Sequence, residues 1–173
     1  MRFAQSAPPP LEALETPYSL RRHRVGDERG WLTLLNGGGE LGHWTLERLG
    51  AECSSFLVAN TQYFVLCDGE IVSGAGVYER SSACWEIGWV ATSPDHRGRN
   101  LARHVCVAAV GAALELPPRP IWLVTDDFRS HAIKLYLRLG FRPDCHHHSH
   151  PNRWRIRIEQ FGPEYAEYLD ADV

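Results

Sequence analysis

Lysine is almost missing from this chain: 17 of its 18 basic residues are arginine and the other is Lys134. That skew is read as composition and carries no mechanism by itself. Long hydrophobic runs are missing too. No stretch approaches the roughly 18 apolar residues that span a bilayer, and the opening MRFAQSAPPP has no hydrophobic signal core, so the chain is expected to be soluble, unprocessed and without a membrane partner. An excess of positive charge is absent. The formal net charge of −3 argues against a general nucleic-acid binder and leaves any field acting on a substrate local. The five cysteines, Cys53, Cys67, Cys84, Cys106 and Cys145, are odd in number and widely spaced, so free thiols in a reducing, cytoplasmic compartment are expected rather than a disulfide framework. There is no internal repeat, and no CxxC or HExxH pair.

What is present fits one globular domain. The chain has 173 residues, 44% of them hydrophobic and 10% aromatic, enough for a substantial core. Residues 1–17, with prolines at 8 to 10, read as an extended, mobile arm, and residues 18–173 as a single domain. YSLRRHR from Tyr18 reads as a first strand, and DERGWLTLLN places Trp31, Leu34 and Leu35 at helical spacing before NGGGELG breaks the helix. A second helix is expected from about Thr45 through Cys53. TQYFVLCDGEIVSGAGVYER gives two strands around Asp68 and Gly69, a strong hairpin signal. ACWEIGWVAT follows as a central strand and IWLVTDD as another. FRPDCH and RWRIRIEQF read as a last pair of strands across the loop HHSHPN.

Two segments carry the chemistry. In VATSPDHRGRNLARHV, from Val90 to Val105, a strand ends, Pro94 stops it, and Arg97, Gly98, Arg99 and Asn100 lead into an apolar-periodic helix. A helix start presents unpaired N–H groups, Gly98 allows close backbone approach, and the two arginines add charge: an anion site suited to a pyrophosphate. In RSHAIKLYLRLGF, from Arg129 to Phe141, Ala132, Ile133, Leu135, Tyr136 and Leu139 recur at helical spacing, and Gly140 fits a left-handed cap.

In this order and spacing the two segments resemble the Gcn5-related N-acetyltransferase (GNAT) superfamily. The resemblance implies an α/β fold: a mixed, twisted sheet of six to seven strands flanked by helices on both faces. It implies acetyl-CoA as acyl donor, no metal, and direct attack by an amine. Val90, Ala91 and Thr92 match the strand edge that pairs with the pantetheine arm, and Arg97, Gly98, Arg99, Asn100, Leu101 and Ala102 match the pyrophosphate loop. Tyr136 matches the tyrosine that protonates the departing thiolate. Asp95 stands where the family prefers Gln or Arg, Asn100 where it prefers Gly or Ala, and Arg129 where Asn is frequent. Asn tolerates positive φ, so the loop is expected to close.

A backbone N–H near Val90, freed by a bulge, is the expected oxyanion donor. Glu86 is the first candidate for the base. Strand alternation puts it on one face with Gly88, and Trp85, Ile87 and Trp89 on the other. Asp126 and Asp127 are alternatives, as are His147, His148 and His150. By analogy Trp31, His43 and Trp44 lie on the acceptor side, and Arg153 and Trp154 could meet a substrate. CHHHSH, from Cys145 to His150, raises a second reading as a metal-binding module, and Asp95 with Asn100 a third as a non-catalytic acyl-CoA-binding domain. The expected partner is a small-molecule amine or a peptide N-terminus, and the expected state is monomer or homodimer.

Overall fold

Seven strands and five α-helices make up the described residues, 1–169, of the computed structural model. They are β1 (Arg2–Phe3), β2 (Tyr18–Arg22), α1 (Glu28–Gly37), α2 (Leu46–Leu49), β3 (Tyr63–Cys67), β4 (Glu70–Ser81), β5 (Cys84–Thr92), α3 (Leu101–Leu114), β6 (Ile121–Trp122), α4 (Ser130–Arg138), β7 (Phe141–Arg142) and α5 (His150–Phe161). The fold class is the expected α/β type. The chain divides into a larger unit, Ala7–Ile121, and a smaller one formed by Met1–Ser6 and the segment that starts at Trp122.

The larger unit is built on antiparallel neighbours β2, β3, β4 and β5. Asp68 and Gly69, both at positive φ (49° and 91°), make the tight turn between β3 and β4 that the sequence signalled. Alternation along the strands then sorts side chains to two faces. Phe64, Leu66 and Tyr78 pack with Trp31 and Leu35 of α1, with Trp44 and Leu49, and with Cys53 in the π-turn Gly50–Ser54 that continues α2. Val65, Ala75, Val77 and Ile87 are buried on alternate positions, and α3 packs on β3, β4 and β5. Gly74 is required by a close approach: a Cβ there would lie 2.9 Å from the Phe64 ring and 3.2 Å from Leu34.

The stretch expected to be a mobile arm is engaged in both units. Arg2–Phe3 is a strand that pairs with β7, and the carbonyls of Pro10 and Glu12 contact Arg103 and His104 of α3. Proline did exclude helix here, and two carbonyls of the extended segment are met by side chains of α3.

In the smaller unit β1 pairs antiparallel with β6 and β7, and Ile133 and Leu137 of α4 pack with Ile158 and Phe161 of α5 and with Tyr165. The last expected strand is a helix. Trp154, Ile156 and Ile158 have a two-residue spacing that reads as strand, but Trp154, Ile158 and Phe161 share a helical stripe, which buries Ile158 and leaves Ile156 47% exposed. Ile158→Ala should therefore lower stability by about 2–5 kcal/mol, while Ile156→Ala should stay within about 0.5 kcal/mol, in chemical denaturation. A strand would make the two losses alike.

Candidate active site

After β5 the chain makes a short 3-10 turn at Pro94–His96, and Gly98 (φ 76°) and Asn100 (φ 57°, ψ 12°) then turn it into α3. Asn100 is left-handed, as its chemistry allows. Among the described residues the N–H groups of Gly98, Arg99, Asn100, Leu101 and Ala102 have no backbone partner, and no atom lies within 4 Å of a Cβ built on Gly98. Five donors at the positive end of a 14-residue helix, with open space at Gly98, have the geometry of an anion nest.

Neighbouring side chains set the nest's charge. Arg97 reaches the carbonyl of Thr92 (3.4 Å) and pairs with Glu40 (3.0 Å), with its side chain half exposed. Arg99 stands over the Tyr18 ring, whose hydroxyl meets His96 Nδ1 at 3.0 Å. Asp95 is exposed. Buried His104 ties the loop down, with Nδ1 3.0 Å from the carbonyl of Asn100 and Nε2 3.1 Å from that of Glu12.

The strand before the loop is irregular where the sequence expected it. Gly76 pairs with Gly88 and Gly74 with Ala91, so Trp89 and Val90 oppose the single residue Ala75. Trp89 takes φ 49°, a left-handed conformation that is uncommon for a bulky side chain. The bulge reverses the alternation, so the expected face for Trp89 is corrected: it packs with Trp44 and Tyr78 on the side of Glu86, away from Trp85, whose indole donates to Pro117. Trp89 and Trp44 meet edge to face at 4.5 Å.

Around them lies a group of charges that the sequence reading missed. Arg80 stands over the rings of Phe56 (5.1 Å), Trp89 (5.6 Å) and Tyr78 (5.9 Å), donates to the carbonyl of Glu52 (3.0 Å) and pairs with Glu86 at 3.4 Å. Arg48 covers Trp44 at 4.1 Å and pairs with Glu52. Burial raises the pKa of Glu86 from its ordinary value, and Arg80 opposes that rise. Burial also pushes the Cys53 thiol up to about 12, which leaves it a packing group. The signal that could have found Arg80 is Tyr78-x-Arg80, two residues on one strand face opposite Glu86 across the Ser81–Cys84 turn.

The other candidates separate. Trp31 is fully buried against Phe64 and serves the core, and His43 is exposed with its carbonyl bound to Arg48. In the smaller unit Tyr136 is buried in α4, edge to face with Phe141 at 6.2 Å. Asp126 pairs with Arg129, and Asp127 with Arg153 at 2.7 Å. His146 pairs with Asp144 at 3.1 Å and stacks near Trp122; His147 bonds Ser149 at 2.8 Å; His148 lies 4.0 Å from the His147 ring, and His150 starts α5. Among the described residues no group of three or more His, Cys, Asp or Glu could hold a metal ion, and none of their helices is long and apolar enough to cross a membrane.

Comparison with known proteins adds the family. Residues 18–141 match the model of the acetyltransferase (GNAT) family. No curated protein matches the sequence. Among solved structures, a GNAT-type N-acetyltransferase from Sphaerobacter thermophilus has TM-score 0.67 at 23% identity over 80% of this chain and 45% of its own. A Mycobacterium tuberculosis protein solved with CoA has TM-score 0.59 at 18% identity, over 88% and 89%. The ribosomal-protein-S18-alanine N-acetyltransferase of Escherichia coli has TM-score 0.62 at 14% identity, over 74% and 79%. This chain spans about half the length of some of these relatives, 45% of the Sphaerobacter protein and 55% of a Novosphingobium aromaticivorans one.

The left-handed turn at Asn100 has a direct test. Asn100→Gly should leave stability within a few tenths of a kcal/mol, whereas Asn100→Val should cost about 1–2 kcal/mol in denaturant titration. Equal losses would contradict the assigned conformation.

Proposed function

The chain belongs to the GNAT acetyltransferase family, and from that premise we propose that it moves an acetyl group from acetyl-CoA to a primary amine. The observation that carries this is the nest of five unpartnered N–H groups from Gly98 to Ala102 beside Arg97 and Arg99. These residues fit a pyrophosphate, and Asn100 adopts the left-handed turn without glycine, which weakens the reading of a degenerate, non-catalytic loop. Acetyl-CoA supplies the acetyl group as a thioester.

The protein's own groups then have three tasks. Val90, released from register by the bulge, offers its N–H to the carbonyl oxygen. Glu86, with its proton affinity raised by burial, accepts a proton from the amine. Tyr136, assigned from its sequence motif, donates its phenolic proton to the departing sulfur. Thr92, Ala91 and Val90 hold the pantetheine arm by strand pairing. The acceptor is a small amine or a peptide N-terminus; relatives include the enzyme named for an alanine of ribosomal protein S18 and a Paenibacillus lautus diaminobutyrate acetyltransferase solved with its substrate and CoA. Five free thiols support a reducing, cytoplasmic setting.

Thiol release from acetyl-CoA over an amine panel tests the reaction. Arg97→Ala combined with Gly98→Asp should abolish acetyl-CoA binding. Tyr136→Phe should keep binding and lower kcat by about 10²- to 10⁴-fold.

The pH dependence has a defined sign. Glu86 is inactive when protonated, so the rate should rise with pH through a limb shifted upward from that of an ordinary glutamate, and Glu86→Gln should remove that limb. A Glu86→Gln enzyme that keeps the limb would move the base to Asp126, Asp127 or a histidine.

A further inference from the structure

Arg80 is an arginine held in place and little used. Its side chain is 33% exposed and that of Glu86 26%. Three rings, from Phe56, Tyr78 and Trp89, wall the guanidinium. It donates from Nη2 to the carbonyl of Glu52 at 3.0 Å and pairs through Nε with Glu86 at 3.4 Å. A guanidinium carries five N–H donors in a planar fork, so most of its capacity is unspent. An exposed arginine would give those donors to water. Here the aromatic walls restrict the approach to the edge of the fork.

We propose that Arg80 sets acceptor specificity by binding a carboxylate of the acceptor, so that the substrate is an amine bearing a carboxylate close to its nitrogen, of the amino-acid class. The proposal rests on Glu86 as the group that receives the amine. The zwitterion replaces both halves of the existing ion pair: its ammonium goes to Glu86 and its carboxylate to the fork of Arg80. The chemistry favours a singly charged carboxylate over a phosphate, since the Glu86 carboxylate flanks the guanidinium and would repel a dianion more strongly. Arg48 balances Glu52, which leaves Arg80 as the cation nearest Glu86. Engaging Arg80 with the acceptor also removes the charge that opposes protonation of Glu86, so it accepts the amine proton more readily once the carboxylate is bound. Glu79 plays no part, being tied to Arg119 at 2.6 Å.

Each of the twenty amino acids and its carboxamide, with spermidine as an amine that has no carboxylate, would be offered with acetyl-CoA to the wild-type protein, to Arg80→Met and to Arg80→Lys. The expected result is an amino acid preferred over its carboxamide. Arg80→Met keeps an apolar stem among the rings and should lower kcat/KM for the acid about 100-fold more than for the carboxamide, mainly through KM, because a site built for a polar group discriminates by leaving it unpaired. Arg80→Lys should recover part of that ratio. Equal use of acid and carboxamide by the wild type, transfer to spermidine alone, or an equal fall for both substrates in Arg80→Met would overturn the proposal, the last marking Arg80 as structural. Acetyl-CoA bound but no amino acid acetylated would also overturn it. Failure to bind acetyl-CoA at all would instead remove the transferase reading on which it rests.

Discussion

The left-handed backbone of Trp89 is the constraint around which the larger unit is organised. A non-glycine residue in this region costs about 1–2 kcal/mol, and here it is a large aromatic one. The cost is offset by packing: the indole lies edge to face with Trp44, beside Arg80, within a cluster of buried rings. Two consequences follow from the same bond rotation. Val90 leaves the register of β4 and β5, and Trp89 moves to the face that carries Glu86. The irregularity therefore frees a backbone donor and builds an aromatic wall beside a carboxylate at one step of the strand.

Four residues further on, the chain repeats the device for a different end. Pro94 stops the strand, Gly98 and Asn100 take positive φ, and α3 begins with its first N–H groups open. His104 and the carbonyl of Glu12 hold this turn from behind, so the segment read as an arm lies against the helix that opens the nest. Left-handed backbone thus occurs at both places that the proposed function assigns to a ligand.

Features whose chemistry is local were legible in the sequence. The Asp68–Gly69 turn, the loop from Arg97 to Ala102 and the left-handed Asn100 each depend on a few adjacent residues with known φ preferences. The face of Trp89 was misread although a bulge near Val90 was expected, because strict alternation was carried through Trp89, and the inserted residue inverts the parity of the strand there. α5 was misread for a related reason: Trp154, Ile156 and Ile158 satisfy a two-residue period, and the stripe through Trp154, Ile158 and Phe161 decides for helix only once α4 covers it. Trp31 was placed at the acceptor pocket by position in the chain, yet its side chain closes the core. Arg80 was passed over because a charge near a hairpin end is ordinarily solvated; the rings around it come from Phe56, Tyr78 and Trp89, separated by up to 33 positions in sequence.

The central claim is that one strand irregularity and one helix start together receive an acyl-CoA. Backbone hydrogen exchange with and without acetyl-CoA reads both places at once. Slower exchange at Val90–Thr92 and at Gly98–Ala102, with α5 unchanged, is the predicted result; protection confined to other segments, or none at saturating acetyl-CoA, would contradict it.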